Sequence, residues 1–123
     1  MNISKLKKAL PKLALVATFI VIIAIGILSL LPGSDLPSQN LNDKLNHFIA
    51  YGVLSFLAIL GRHKVAFVWV ILGAIGYGVA LEVLQGVMPY GRSASTLDAL
   101  ANTGGVLCGT ISGWLAGRLL SRL

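Results

Sequence analysis

"LALVATFIVIIAIGILSLL", residues 13 to 31, carries no charge from end to end. A helix needs about 20 predominantly apolar residues to cross the hydrocarbon of a bilayer, so this run predicts a transmembrane helix. A secretory leader has a shorter apolar region, about 7 to 15 residues, followed by a small-residue cleavage site. Neither feature is present, so the segment is expected to be retained, with Pro32 and Gly33 ending it.

The rest of the chain has the same character. Of its 123 residues 56% are hydrophobic and 11% charged, against about 25% charged in a soluble domain. Such a chain cannot cover a water-facing surface, which excludes a soluble globular fold. Three further apolar stretches run over about 45–60, 65–88 and 97–120. The expected fold is therefore all-α: a polytopic membrane protein built as a bundle of four transmembrane helices. The single cysteine, Cys108, lies in an apolar run, so no disulfide framework or CxxC pair is present and a buried, inert thiol is expected.

Charge sets the expected orientation. Lys5, Lys7, Lys8 and Lys12 lie in a basic arm over residues 1–12, Arg62 and Lys64 in the second connection, and Arg118 and Arg122 in the tail. If the helices cross in turn, these eight fall on one side, and only Lys44 and Arg92 on the other. The positive-inside rule then places both termini in the cytoplasm and the chain, multi-pass, in the cytoplasmic (inner) membrane. The net charge of +6 reads as topology and needs no nucleic-acid partner. Membrane lipids are the expected surroundings, with some attraction to anionic headgroups.

All four acids fall on the other side, the outer one. Asp35 and Asp43 precede or open the second helix, with Lys44, His47 and Tyr51 following. Glu82 and Gln85 lie near the outer end of the third, and Arg92, Ser95, Asp98 and Asn102 enter the fourth. Glu82 is six residues from Met88, roughly 9 Å of helix, which sinks it to the level of His47 and Asn102. Helical phase supports convergence. Asp98, Asn102, Gly105 and Gly109 share one face, as do Asp43, His47, Ala50 and Leu54. Gly78, Glu82 and Gly86 are spaced by four. Gly105, Gly109, Gly113 and Gly117 form a small-xxx-small ladder, suited either to packing within the chain or to a homo-oligomer.

Each polar residue also has an ordinary structural reading. Ser95-x-x-Asp98 is a capping box, and Asn40-x-x-Asp43 resembles one. His47 alone would usually be a hydrogen-bonded packing residue, and Tyr51, Tyr77, Tyr90, Trp69 and Trp114 interfacial or packing aromatics. Glu82 resists such a reading. It lies well inside a helix, where a charge costs a few kcal/mol, so it requires a partner (Arg92, Lys44 or His47), neutralisation, or a wet pocket.

The stretches "DKLNHFIAYGVLSF" (43–56), "EVLQ" (82–85) and "RSASTLDALANTGG" (92–105), in that order and spacing, resemble the VanZ-like family of small bacterial membrane proteins. The resemblance covers about 30–120, and so the core at 32–120. It implies that Asp43, Lys44, His47, Tyr51, Glu82, Gln85, Arg92, Ser95, Asp98 and Asn102 are the functional positions. It also implies a place in the cell envelope and a link, through one member, to glycopeptide (teicoplanin) resistance.

The leading expectation is a polar pocket at outer-leaflet level that engages a lipid headgroup, a lipid-linked cell-wall intermediate or an amphiphilic glycopeptide. Lys44 and Arg92 would be its cationic donors. The alternative is a membrane hydrolase or transferase acting on a lipid-linked substrate, with His47, Glu82 and Asp98 as catalytic candidates and Ser95 a nucleophile by elimination. No HExxH, GxSxG or phosphatase-like motif names a reaction. No metal or cofactor is expected, although His47, Glu82 and Asp98 form an alternative divalent-metal set. Transport is disfavoured because the cytoplasmic half carries no matching polar path. A cluster that merely locks the helices together, with no ligand, is the structural alternative.

Overall fold

A computed structural model describes residues 2–31, 41–61, 67–88 and 95–123. Among them are four helices and no strand: α1 (Ile3–Leu30), α2 (Leu41–Gly61), α3 (Phe67–Val87) and α4 (Thr96–Ser121). The Pro32–Gly33 break, the Asn40 cap and the basic residues Arg62, His63 and Lys64 lie outside the described residues.

α1 starts well before the apolar run. The Asn2 side chain caps it, accepting from the backbone N–H groups of Ser4 and Lys5 at 2.8 and 3.2 Å. The lysines of the expected arm are thus the first turns of a long helix, which also accommodates Pro11.

Contacts fix the directions of the helices. Gly105, Gly109 and Gly113 of α4 face Phe48, Gly52 and Phe56 of α2 in ascending order, so these two helices run parallel. A methyl on Gly113 would sit 2.8 Å from the Phe56 carbonyl oxygen. Only glycine permits such backbone approach. α1 and α3 also run parallel to each other: Tyr77 donates to the Ile22 carbonyl and Gln85 to the Ser29 carbonyl. Gly61 at the end of α2 meets Leu15 in the first half of α1, and Glu82 near the end of α3 meets Ser95 at the start of α4, so the α1/α3 pair opposes the α2/α4 pair. The glycine ladder is thereby used within the chain, except at Gly117, which faces open space.

Burial is inverted relative to a soluble bundle. Glu82, Gln85, Asp98, Asn102, Ser55 and Thr110 are buried, while Leu13 and Ile20 of α1 are each 62% exposed. Apolar side chains turned outward and polar ones turned inward suit a hydrocarbon surround. α1, Asp43–Gly61 of α2, and α3 are each long and apolar enough to cross a membrane. The expectation of four such helices is met by three. α4 is long enough, at 26 residues, but Asp98, Asn102 and its glycines and hydroxyls leave it less apolar than the others. Cys108, expected to be buried, is exposed on α4.

At the end of the bundle that holds both termini, Ile3 and Leu6 of α1 line one cavity together with Leu120 and Leu123. Arg118 stacks 5.0 Å over the Trp114 ring there, and Trp114 meets Phe67 edge-on at 6.0 Å.

Candidate functional site

The opposite end of the bundle holds the polar cluster. Asp43 and His47 are one turn apart on α2, and Asp98 and Asn102 one turn apart on α4. Because these helices are parallel and separated only by glycine, the two pairs stand face to face. Lys44 Nζ donates to Asp98 Oδ1 and lies 3.7 Å from Asp43 Oδ2. His47 Nδ1 lies 2.9 Å from Asn102 Oδ1. Its other nitrogen, Nε2, is 3.6 Å from Asp98 Oδ2 and 3.8 Å from Asp43 Oδ2.

The two sides of the cluster differ in exposure. Asp98 and Asn102 are buried, whereas the Lys44, Asp43 and His47 side chains are 25%, 17% and 13% exposed. A carboxylate as enclosed as Asp98 requires a counter-charge, and the Lys44 ammonium supplies it. The site therefore opens along α2 and has its floor on α4.

The structure resolves how α4 is capped. Ser95 Oγ accepts the Asp98 backbone N–H at 3.3 Å, the serine half of the box. The reciprocal half is not made by Asp98: the Ser95 backbone N–H donates to Glu82 Oε2 at 2.8 Å. The expectation that the Asp98 side chain caps α4 is thus corrected. Glu82 takes that place from another helix, and the Asp98 carboxylate is turned to Lys44 and His47. A buried acid at the start of α4 also meets the positive end of the helix dipole, which accounts for Glu82 within an apolar helix.

Sequence groups Gln85 with the pocket, but its side chain points elsewhere. Its Nε2 donates to the Ser29 carbonyl at 2.8 Å, tying α3 to the end of α1. Tyr51 is buried, with its ring beside Gly78 and 6.5 Å from that of Tyr77. A methyl on Gly78 would come within 3.1 Å of both Tyr51 and Asn102, so this glycine makes room for the floor of the site. Arg92 lies outside the described residues.

One ligand atom from each of Asp43, His47 and Asp98 lies within 4.8 Å of the others. The metal set anticipated from sequence differs in having Glu82, which here serves the Ser95 cap, in place of Asp43. Sequence reasoning also passed over Gly52, which admits Gly109, and the pairing of Tyr77 with Ile22. A glycine in the middle of α2 was a visible signal for the first. Nothing in sequence marked the second, because its acceptor is a backbone carbonyl.

A family model described as VanZ/LLP1 matches residues 7–117, reaching back over most of α1 as well as the segments that carry the motifs. No curated protein and no solved structure matches the chain.

Proposed function

The chain belongs to the VanZ/LLP1 family, and we propose that it is a multi-pass protein of the bacterial inner membrane whose Asp43–Lys44–His47–Asp98–Asn102 cluster engages the head of an amphiphile. That amphiphile is a lipid headgroup, a lipid-linked cell-wall intermediate or a glycopeptide with a lipid tail. The carrying observation is the one-sided opening of the cluster: its floor on α4 is buried while Asp43, Lys44 and His47 remain partly exposed on α2. A ligand whose tail lies in lipid reaches such a site from the side of the bundle.

Orientation follows from charge. Lys5, Lys7, Lys8 and Lys12 begin α1, and Arg118 and Arg122 end α4, all at one end. The positive-inside rule makes that end cytoplasmic and sets the cluster at outer-leaflet level. α4 runs parallel beside α2, so it crosses the bilayer with its neighbour, with Asp98, Asn102 and Thr110 covered. The family's link with teicoplanin resistance supports an amphiphilic ligand without assigning resistance to this chain.

A hydrolase or transferase on the same site remains the second reading. It draws on His47, whose ring is held by Asn102 with Nε2 facing two carboxylates. The test is native mass spectrometry of the purified protein with anionic phospholipids and lipid-linked wall precursors. A binder retained by the intact protein and lost in His47→Gln supports the reading, and conversion of that binder would make it enzymatic. Equal retention by both proteins would overturn it.

A further inference from the structure

The arrangement around His47 leaves one feature that headgroup binding does not use. Asn102 Oδ1 is an acceptor, so the His47 Nδ1 facing it at 2.9 Å carries a proton and donates. The neutral ring then presents an Nε2 lone pair, and that lone pair faces carboxylate oxygens of Asp43 and Asp98 at 3.8 and 3.6 Å. Electron pairs facing one another across a partly enclosed gap favour a cation there, in addition to the Lys44 ammonium that bonds Asp98 Oδ1 and lies 3.7 Å from Asp43 Oδ2.

A proton on Nε2 is the simplest cation, but the distances do not favour it. An N–H···O bond to a carboxylate closes to about 2.7–2.9 Å, well short of both separations. A metal ion fits them better. With bonds of about 2.1 Å to nitrogen and oxygen, a tetrahedral ion holds its ligand atoms about 3.4 Å apart. Asp98 gives a second, independent indication. It is 1% exposed, and its Oδ2 is enclosed with no hydrogen-bond partner among the described residues, while Oδ1 is held by Lys44. The free oxygen is the one turned toward His47 Nε2.

The geometry points to a divalent metal site formed by Asp43, His47 Nε2 and Asp98 Oδ2, with remaining positions open toward the exposed side of α2. One imidazole and two carboxylates suit an ion of the zinc or manganese class. Its outer shell is already present: Asn102 holds the ring through Nδ1, as a metal-ligating histidine requires, and Lys44 holds the other oxygen of Asp98.

The ion would also change what the site can bind. A divalent ion beside the Lys44 ammonium adds positive charge to the site and offers a phosphate oxygen an open coordination position. The substrate class is then a phosphate-bearing lipid whose phosphate completes the coordination. This second step rests on the headgroup reading above, whereas the metal site itself does not.

The test uses purified full-length protein, stripped with EDTA, in a Cys108→Ala background so that the exposed thiol binds nothing. Mn2+ and Zn2+ are added alone. Expected are one ion retained per chain after gel filtration, a higher Tm with the ion than with EDTA, and 14N modulation from a coordinated imidazole in the Mn2+ pulsed EPR spectrum. His47→Gln should abolish that modulation, and Asp43→Asn and His47→Gln should each weaken binding at least tenfold. Should either variant fold poorly, the ion dependence of the unsubstituted Tm and the EPR spectrum still decide. An unchanged Tm with no retained ion, or retention indifferent to both substitutions, overturns the site. Phospholipid binding that survives EDTA would also overturn the metal's role in it while leaving the headgroup reading standing. Ion binding with no lipid or precursor bound would sustain the metal site and remove the headgroup reading.

Discussion

Glu82 Oε2 accepts the Ser95 backbone N–H at 2.8 Å, a hydrogen bond that the local sequence would give to Asp98. This exchange assigns the acids of the site. Glu82 caps α4 from α3, and Asp98, freed from the cap, closes on Lys44 and lies beside His47.

Removing Asp98 and removing the Ser95 cap should therefore have unequal effects. Asp98→Ala takes its main partner from the Lys44 ammonium, which keeps Asp43 at 3.7 Å, a loss of about 1–3 kcal/mol. Ser95→Ala removes only a cap, about 1 kcal/mol. Thermal melting in detergent should show Asp98→Ala clearly the lower of the two. Equal losses would return Asp98 to a capping role.

Glu82→Ala strips the acceptor from the Ser95 N–H and leaves a donor unsatisfied, at about 1–3 kcal/mol. The loss should be local. Hydrogen exchange should quicken in the first turn of α4, while the α2–α4 seam around Gly109 keeps its protection. Uniform loosening of the bundle would show that Glu82 does more than hold this turn.

The glycine seam makes a steric prediction. A methyl at Gly105 or Gly109 would overlap the Phe48 or Gly52 carbonyl, whereas one at Gly117 meets nothing within 4 Å. Gly105→Ala and Gly109→Ala should each cost about 1–3 kcal/mol or more through overpacking. Gly117→Ala should be neutral to slightly stabilising. Melting temperatures of the three variants check this, and equal behaviour would mean that α2 and α4 do not meet here.

Topology is checked by fusing a reporter to Leu123. With the termini cytoplasmic, green fluorescent protein should fluoresce there and alkaline phosphatase remain inactive. The reverse pattern would invert the orientation and set the polar cluster on the cytoplasmic side.

Much of this architecture was legible in sequence, for identifiable reasons. Apolar runs marked the helices, and four-residue spacing put Asp98 with Asn102 and Asp43 with His47. Partner choice was not legible, because it depends on how each helix is rotated against its neighbours. That rotation sends Gln85 to the Ser29 carbonyl instead of the cluster. Cys108 shows a related limit. In a membrane the lipid-facing side of a helix is as apolar as its packed side, so an apolar neighbourhood does not reveal burial. α4 shows the converse: its interface is made of glycine and polar groups, and a helix so built looks less membrane-like than the partners it packs against.

The cluster is proposed as a ligand site, more than a brace between helices. The most direct test compares His47→Gln, within the cluster, with Gln85→Leu, which cuts only the tether to α1. Melting temperature, taken in EDTA so that no bound ion contributes, and binding of lipid-linked wall precursors and anionic phospholipids, taken without EDTA, would be measured on both against the unsubstituted protein. His47→Gln should keep its melting temperature and lose the bound lipid, while Gln85→Leu should lose stability and keep it. Binding that falls only in step with melting temperature in both variants would contradict the account and leave the cluster as scaffold.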